Sequence, residues 1–272
     1  MIRSILLSLL LWTFVPHSST RPADPTQRHH APAIPADTLT ARVCRWNSLE
    51  TKKDSSRDRK EILEGSTPDL TLLEIHASTL EPGMAPHLPH SHADMEELLI
   101  VKEGTLKATI NGVTSLLSPG SIALALPGDQ HGFVNTGNSK ATYYVLKFQS
   151  RSPMNGQRGR AGGGSFTVNW DTLTVQPTDR GEKREVFDRS TALFRKMELH
   201  ATTLDAGRVS HAPHIHRQEE IILLRSGDVE MQIGDKFYPA SAGDLVFLSS
   251  GSLHALKNTG AGPCQYFALQ WQ

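Results

Sequence analysis

His87-Leu88-Pro89-His90-Ser91-His92-Ala93-Asp94-Met95-Glu96-Glu97 and His211-Ala212-Pro213-His214-Ile215-His216-Arg217-Gln218-Glu219-Glu220 begin 124 positions apart and carry the same three histidines. The correspondence reaches further along the chain. His76 and His131 recur as His200 and His254, so ten of the thirteen histidines fall into two matching sets of five. Histidine is the commonest metal ligand and the side chain that titrates near neutral pH. A duplicated histidine cluster points to a duplicated site, most simply a pair of metal sites.

The repeat is not confined to histidine. Trp46-Asn47-Ser48-Leu49 matches Trp170-Asp171-Thr172-Leu173, and the eight residues from His76 to Gly83 match those from His200 to Gly207. Asn135-Thr136-Gly137 matches Asn258-Thr259-Gly260. Such self-similarity marks a tandem duplication, with one unit over 41–149 and the other over 166–272. The intervening 150–165 is half glycine or serine and reads as a flexible connector.

Within each unit the pattern is all-β. Glu97 to Ile110 and Thr114 to Leu126 are rich in apolar and β-favouring residues, broken at Lys102-Glu103-Gly104 and Ser118-Pro119-Gly120. Asn111-Gly112 is a hairpin turn signal, and Gly234-Asp235 takes its place in the second unit. Alternation is less clean from Thr142 to Phe148, although the residues favour strand. No sustained helical periodicity is present after the first twenty residues. Many short strands with glycine turns predict a sandwich or small barrel in each unit.

His90-Ser91-His92, Glu97 and Gly104, followed by Gly120, Pro127-Gly128, His131 and Asn135, resemble the two motifs of the cupin superfamily. The second unit offers His214-Ile215-His216, Glu220 and Gly227, then Gly243, Gly251, His254 and Asn258. The resemblance covers both units and implies a bicupin, two tandem cupin domains of small jelly-roll-like barrel form. It implies two metal sites, His90, His92, Glu97 and His131 in one, His214, His216, Glu220 and His254 in the other. Residues i and i+2 of a strand face the same side, so His90 with His92, and His214 with His216, are expected to point together from a strand into the barrel. Period 2 turns the neighbouring Glu96 and Glu219 to the opposite face. Three imidazoles and a carboxylate suit one divalent transition ion per domain, Mn, Fe, Ni, Cu, Co or Zn. The second motif departs from the family, since Pro127 abuts Gly128 and Ser250 replaces the proline in the second copy.

His87 and His211 stand three residues before the first ligand of each set. They are candidates for general acid or base catalysis, against a supporting or solvated role. Oxalate-processing bicupins often carry arginine or asparagine near that place, so histidine argues against oxalate chemistry. His76 shares a polar strand face with Glu74 and Ser78, and His200 with Glu198 and Thr202. Those faces could line the barrel mouth, meet solvent or form an interface. Trp46 and Trp170 read as packing anchors, Tyr143, Tyr144, Tyr266 and Phe267 as core or rim, and the charged stretch Lys52 to Glu61 as a solvated loop.

Lysine plus arginine and aspartate plus glutamate both number 28, so nothing favours nucleic acid or an anionic membrane. Residues 1–20 read as an export signal, with Arg3 before an apolar run too short to span a bilayer. Residues 21–40 read as a disordered leader in which His29 and His30 are incidental. The chain is then secreted or periplasmic, with no stable membrane anchor after cleavage. Cys44 and Cys264 form either a staple between the halves or two separate thiols. The expected partner is a small molecule, and the assembly a monomer or dimer. The leading functional expectation is a metalloenzyme acting on a small oxygenated metabolite, either a dioxygenase or a Lewis-acid isomerase or hydrolase. The competing one is a non-catalytic, metal-dependent binding protein for a sugar or other small molecule. One copy could also be catalytic and the other structural, with the first copy favoured because it keeps its proline.

Overall fold

The structure is a computed structural model, and it describes residues 38–272. The export signal, His29 and His30 lie outside the described residues. The last residues of the segment read as leader are part of the fold, since Thr38 bridges Ser66 and Leu39 is 4% exposed.

The first copy supplies β1 (Arg42–Cys44), β2 (Lys52–Lys53), β3 (Asp58–Gly65), β4 (Leu70–Leu80), β5 (Glu96–Glu103), β6 (Leu106–Ile110), β7 (Val113–Leu117), β8 (Ile122–Ala125), β9 (His131–Asn135) and β10 (Ala141–Ser150). The second supplies β11 (Phe166–Val168), β12 (Gln176–Thr178), β13 (Gly181–Arg189), β14 (Met197–Leu204), β15 (Glu219–Ser226), β16 (Asp228–Ile233), β17 (Lys236–Ser241), β18 (Leu245–Leu248), β19 (His254–Asn258) and β20 (Cys264–Trp271). Each barrel is a seven-stranded sheet facing a three-stranded one. The large sheets run β11-β8-β5-β10-β4-β3-β2 and β1-β18-β15-β20-β14-β13-β12, and the small sheets β7-β6-β9 and β17-β16-β19. All named strand pairs are antiparallel.

The copies exchange their first strands. β1 pairs with β18, setting Cys44 opposite Leu245, and β11 pairs with β8, setting Phe166 opposite Leu124. Each copy in sequence is therefore not quite one barrel in space. The exchange follows from where the apolar side chains go. Leu73, Ile75, Leu98, Leu146 and Phe148 of the first barrel, and Leu199, Ile221, Leu223, Phe267 and Trp271 of the second, form one shared core. Separate cores fill the two interiors, with Leu99, Val101 and Val145 in the first and Ile222, Val246 and Ala268 in the second. The imperfect alternation from Thr142 to Phe148 is explained by this arrangement. Tyr144, Leu146 and Phe148 face the shared core while Tyr143 and Val145 face the barrel interior, so both faces are buried. Trp46 stacks edge-on against Tyr144 at 5.8 Å, and Trp170 against Phe267 at 5.8 Å, as anchors of the exchanged segments.

Two expectations are corrected and one open alternative is settled. The stretch Lys52 to Glu61 is not a solvated loop but contains β2 and the start of β3, with Arg57 and Arg59 partly buried. The connector is not featureless. Asn155 caps a helix, α1 (Gly156–Ala161), and Arg158 donates to the carbonyls of Thr191 and Ala192 at 2.8 and 2.7 Å. Cys44 and Cys264 are separate thiols. β18 and β15 lie between their strands, a separation of roughly 14 Å that no disulfide bridges.

The glycine seven residues after each ligand glutamate has a steric reason. Gly104 has φ +79°, and a Cβ there would sit 2.6 Å from Ala141 Cα; at Gly227 it would sit 2.7 Å from Cys264 Cα. Gly83 shares the positive φ, +79°, but has open space around it. Gly104→Ala should therefore cost on the order of 3 kcal/mol, and Gly83→Ala only about 1 kcal/mol from left-handed strain. Urea unfolding checks this, and equal losses would show that the close approach is not the constraint.

Candidate metal centres

The paired histidines do not lie in a regular strand as the spacing predicts. Pro86 and Pro89 remove backbone donors from their approach, and the segment crosses the barrel mouth as a loop held by one bridge, His90 opposite His131. The bridge is reciprocal: His90 N–H donates to His131 O at 2.9 Å and His131 N–H to His90 O at 2.8 Å. His214 and His254 repeat it at 3.1 and 3.0 Å. The glycine of the second motif closes each loop. Gly128 N–H donates to His92 O at 2.7 Å, and Gly251 N–H to His216 O at 2.9 Å, both with positive φ. Ser250 in place of proline thus leaves the turn intact.

Potential ligand atoms of His90, His92, Glu97 and His131 all lie within 4.8 Å of one another. Nε2 of His90 is 3.1 Å from Nε2 of His92, which is 3.2 Å from Glu97 Oε2. Glu97 Oε1 is 3.5 Å from His131 Nε2. In the second barrel His216, Glu220 and His254 converge within the same limit, with Glu220 Oε2 3.2 Å from His216 Nε2 and 3.3 Å from His254 Nε2. His214 joins through His254 in a second group that also contains His211. The first tetrad is thus assembled as one cluster, and the second as two clusters sharing His254.

The donor chemistry fits a divalent cation. His131 Nδ1 donates to Asp129 O at 3.0 Å, His254 Nδ1 to Ser252 O at 2.9 Å and His216 Nδ1 to Gln218 O at 2.8 Å. A carbonyl partner fixes the proton on Nδ1 and turns the Nε2 lone pair inward. Nε2 of His131 and of His254 is buried without a hydrogen-bond partner among the described residues, an arrangement that costs free energy unless something else accepts the lone pair. Burial opposes ionisation of Glu97 and Glu220, yet contacts from His131 and His92, or His216 and His254, hold both well below the usual carboxylate range, Glu220 at about 2. Burial, then the neighbouring His131 and His87, push His90 down to about 4, so it stays neutral. Burial opposes protonation of His131, yet Glu97 raises its pKa above the ordinary histidine value, and Glu220 raises that of His216, so a divalent ion would have to displace protons from these two imidazoles as it binds.

His87 is exposed, its ring edge-on to His90 at 4.3 Å, and His211 meets His214 the same way at 4.1 Å. Both stand in the cavity wall above the ligands, as do His76 and His200. The polar face of β4 therefore lines the barrel mouth, the first of its three open readings. Glu96 and Glu219 do face away from the ligands, towards the shared core. Glu96 accepts from Leu193 N–H at 2.9 Å, and Glu219 from the Thr67 hydroxyl at 2.8 Å and the Trp271 indole at 3.1 Å. The sequence reading missed Arg57, Arg59 and Lys147 in the first wall, and Asp179, Arg180, Glu182 and Lys183 in the second. Tyr143 and Tyr266 belong to the barrel cores, as expected, and also border the cavities. The available signal was period 2, since Tyr143, Val145 and Lys147 share one face of β10.

Two barrels that each gather histidines around a carboxylate define a duplicated barrel protein with potential metal sites. The cupin domain family matches residues 77–147 and 200–269, and the chain belongs to that family. Among solved structures it is similar to Ylba from E. coli at 19% identity, with a TM-score of 0.67 and coverage of 86% of this chain and 91% of that one. The glyoxylate-induced protein of Pseudomonas aeruginosa matches at 17% identity, TM-score 0.68, covering 89% and 93%. Oxalate decarboxylase of Lactobacillus farciminis matches at 11% identity, TM-score 0.64, covering 85% and 86%. At these identities the likeness is one of fold. No curated protein matches by sequence.

The asparagine of the second motif serves the scaffold. Asn135 Nδ2 donates to Leu80 O and Ser139 O at 3.0 and 2.8 Å, and its Oδ1 accepts from Gly137 N–H at 2.9 Å. Asn258 repeats all three contacts. Asn135→Ala leaves these buried groups unpaired and should cost about 2–4 kcal/mol while the metal content of the folded protein is unchanged. Thermal unfolding paired with metal analysis checks both halves, and loss of metal at full stability would reverse the assignment.

Proposed function

We propose that the mature chain is an exported metalloenzyme in which each barrel holds one divalent transition ion and acts on a small oxygenated metabolite. The observation that carries this reading is the convergence of His90, His92, Glu97 and His131, of which His90 and Glu97 also line a cavity. The second barrel's His214, His216, Glu220 and His254 support a second centre. A bound ion would supply Lewis acidity, or a place for O₂ beside the substrate, because four protein ligands leave open positions on a six-coordinate metal. His131, His254 and His216 are held in one tautomer by backbone carbonyls, which orients the ligand set before binding. His87 and His211 reach over the ligands from the exposed side, where an imidazole can take or return a proton at a substrate oxygen. Export rests on the apolar run near the N-terminus.

Plasma mass spectrometry on tag-free protein should find about two equivalents of a transition metal per chain. His90→Ala should lower this to about one and leave the second site loaded, and no metal after reconstitution would sink the proposal. His87→Ala should keep both metals while lowering turnover by roughly 10²–10⁴-fold, read as O₂ uptake or product formation. Loss of one metal in that variant would make His87 a ligand, and a molecule returned unchanged under all conditions would identify a binding protein.

A further inference from the structure

The metal-ligating side chains are the same in both copies, but the walls above them are not. Strand register identifies the equivalent positions. Lys147 lies opposite Glu97 and Glu74, and Gln270 opposite Glu220 and Glu198. Val145 is replaced by Ala268 and Phe133 by Leu256. Asp58 and Glu182 occupy matching places on β3 and β13, so Arg57 stands where the second copy has Gly181. The first cavity measures about 180 Å³ and the second about 420 Å³. Arg57, Arg59 and Lys147 line the first, and its only lining carboxylate is Glu97. Arg180 and Lys183 line the second, balanced by Asp179 and Glu182 beside the ligand Glu220.

The cations of the first wall differ in what they have to spare. Arg59 is committed, with Glu61 at 2.8 and 2.9 Å and Glu74 at 2.7 Å. Lys147 is held loosely, 3.5 Å from a Glu74 carboxylate that Arg59 and His76 already share. Arg57 Nε is buried without a hydrogen-bond partner among the described residues, and its nearest carboxylate, Asp54, stands at 3.6 Å. Asp54 Oδ1 accepts from the backbone N–H groups of Ser56 and Arg57 and from the Ser56 hydroxyl, which leaves only Oδ2 towards Arg57 Nε. Arg180, by contrast, is tied down by the Ser210 carbonyl and by Asp179. Spare guanidinium and ammonium donors in a small, partly desolvated cavity match an oxyanion, for which charge-assisted hydrogen bonds are about twice as strong as neutral ones.

We infer that the two centres have diverged in ligand choice. The first selects a small molecule that presents a carboxylate or similar oxyanion to Arg57 and Lys147. The second, roomier and charge-balanced, does not select anions. This rests on the metal-centre reading above. The first cavity is less than half the size of the second, about 180 against 420 Å³, so its ligand is the smaller molecule.

The test uses full-length mature protein loaded with cobalt(II), in two half-loaded forms: His214→Ala, which keeps the first centre, and His90→Ala, which keeps the second. Cobalt content is measured first, and sodium acetate is then titrated by calorimetry and by the visible cobalt spectrum. Acetate should bind the His214→Ala form at least tenfold more tightly than the His90→Ala form. Adding Lys147→Gln or Arg57→Gly to His214→Ala, each of which installs the second copy's residue, should remove most of that advantage without releasing cobalt. Equal affinity in the two half-loaded forms overturns the inference, as does an advantage that survives both wall substitutions. If neither form retains cobalt, the metal-centre reading fails and takes this inference with it. Cobalt retained without selective acetate binding sinks the inference alone.

Discussion

Two neighbouring carboxylates in one strand have to be satisfied on opposite sides of a sheet, and the rest of the molecule is arranged around that constraint. Glu97 turns into the first barrel, where imidazoles meet it, while Glu96 turns into the shared core and accepts from Leu193 N–H. Glu220 and Glu219 do the same in the second barrel, with Thr67 and Trp271 as donors to Glu219. A buried carboxylate is tolerated only when paired or hydrogen-bonded, so neither member of a pair can move without exposing the other to an unpaired burial. Register in β5 and β15 is therefore fixed twice, since a one-residue slip would send the ligand glutamate into the shared core.

That shared core is why the duplication is more than two beads on a string. Leu193 belongs to the second copy and Thr67 to the first, so each seam-facing glutamate finds its partner in the other half of the sequence. The exchanged strands β1 and β11 deepen the dependence, because each copy completes the other's large sheet. Phe148, Phe194 and Trp271 pack with ring centroids 5.3–6.2 Å apart across the same seam, within the range where aromatic pairs add to simple burial. A rigid seam directly behind both ligand strands gives each site a floor that does not have to be ordered by the ligand.

Much of this was legible in the sequence. The spacing of His90, His92, Glu97 and His131, and its recurrence, gave the fold class and the residues that converge. Period 2 set Glu96 and Glu97 on opposite faces, and the motif glycine, Gly104, marked Glu97 as the ligand. Other features could not be read because they depend on contacts between segments distant in sequence. Strand exchange leaves no local trace, since Arg42–Cys44 pairs equally well with any exposed edge. His90 and His92 converge through a loop stitched to β9, not through a strand, and the same spacing serves either geometry. Arg57 and Arg59 looked like solvated charge because their stretch is polar. Only the fold reveals that β3 runs along the wall of a cavity.

The comparison of the two copies within one chain carries more functional information than either copy alone. Both have had the same time to drift inside the same protein, and both keep every ligand and the glycine and asparagine that brace them. A pocket with no role beyond holding metal would place no demand on the wall, and its residues would be set by core packing. Part of the difference is repacking, since Phe133 faces Ala108 where Leu256 faces Met231, but the charge changes are not. Lys147 against Gln270 and Arg57 against Gly181 change charge at positions that border the cavity, and Phe133 against Leu256 and Val145 against Ala268 trade larger side chains for smaller ones. Charge thus changes above a constant set of ligands, which is the pattern expected when the chemistry of the centre is retained and the molecule brought to it is not the same.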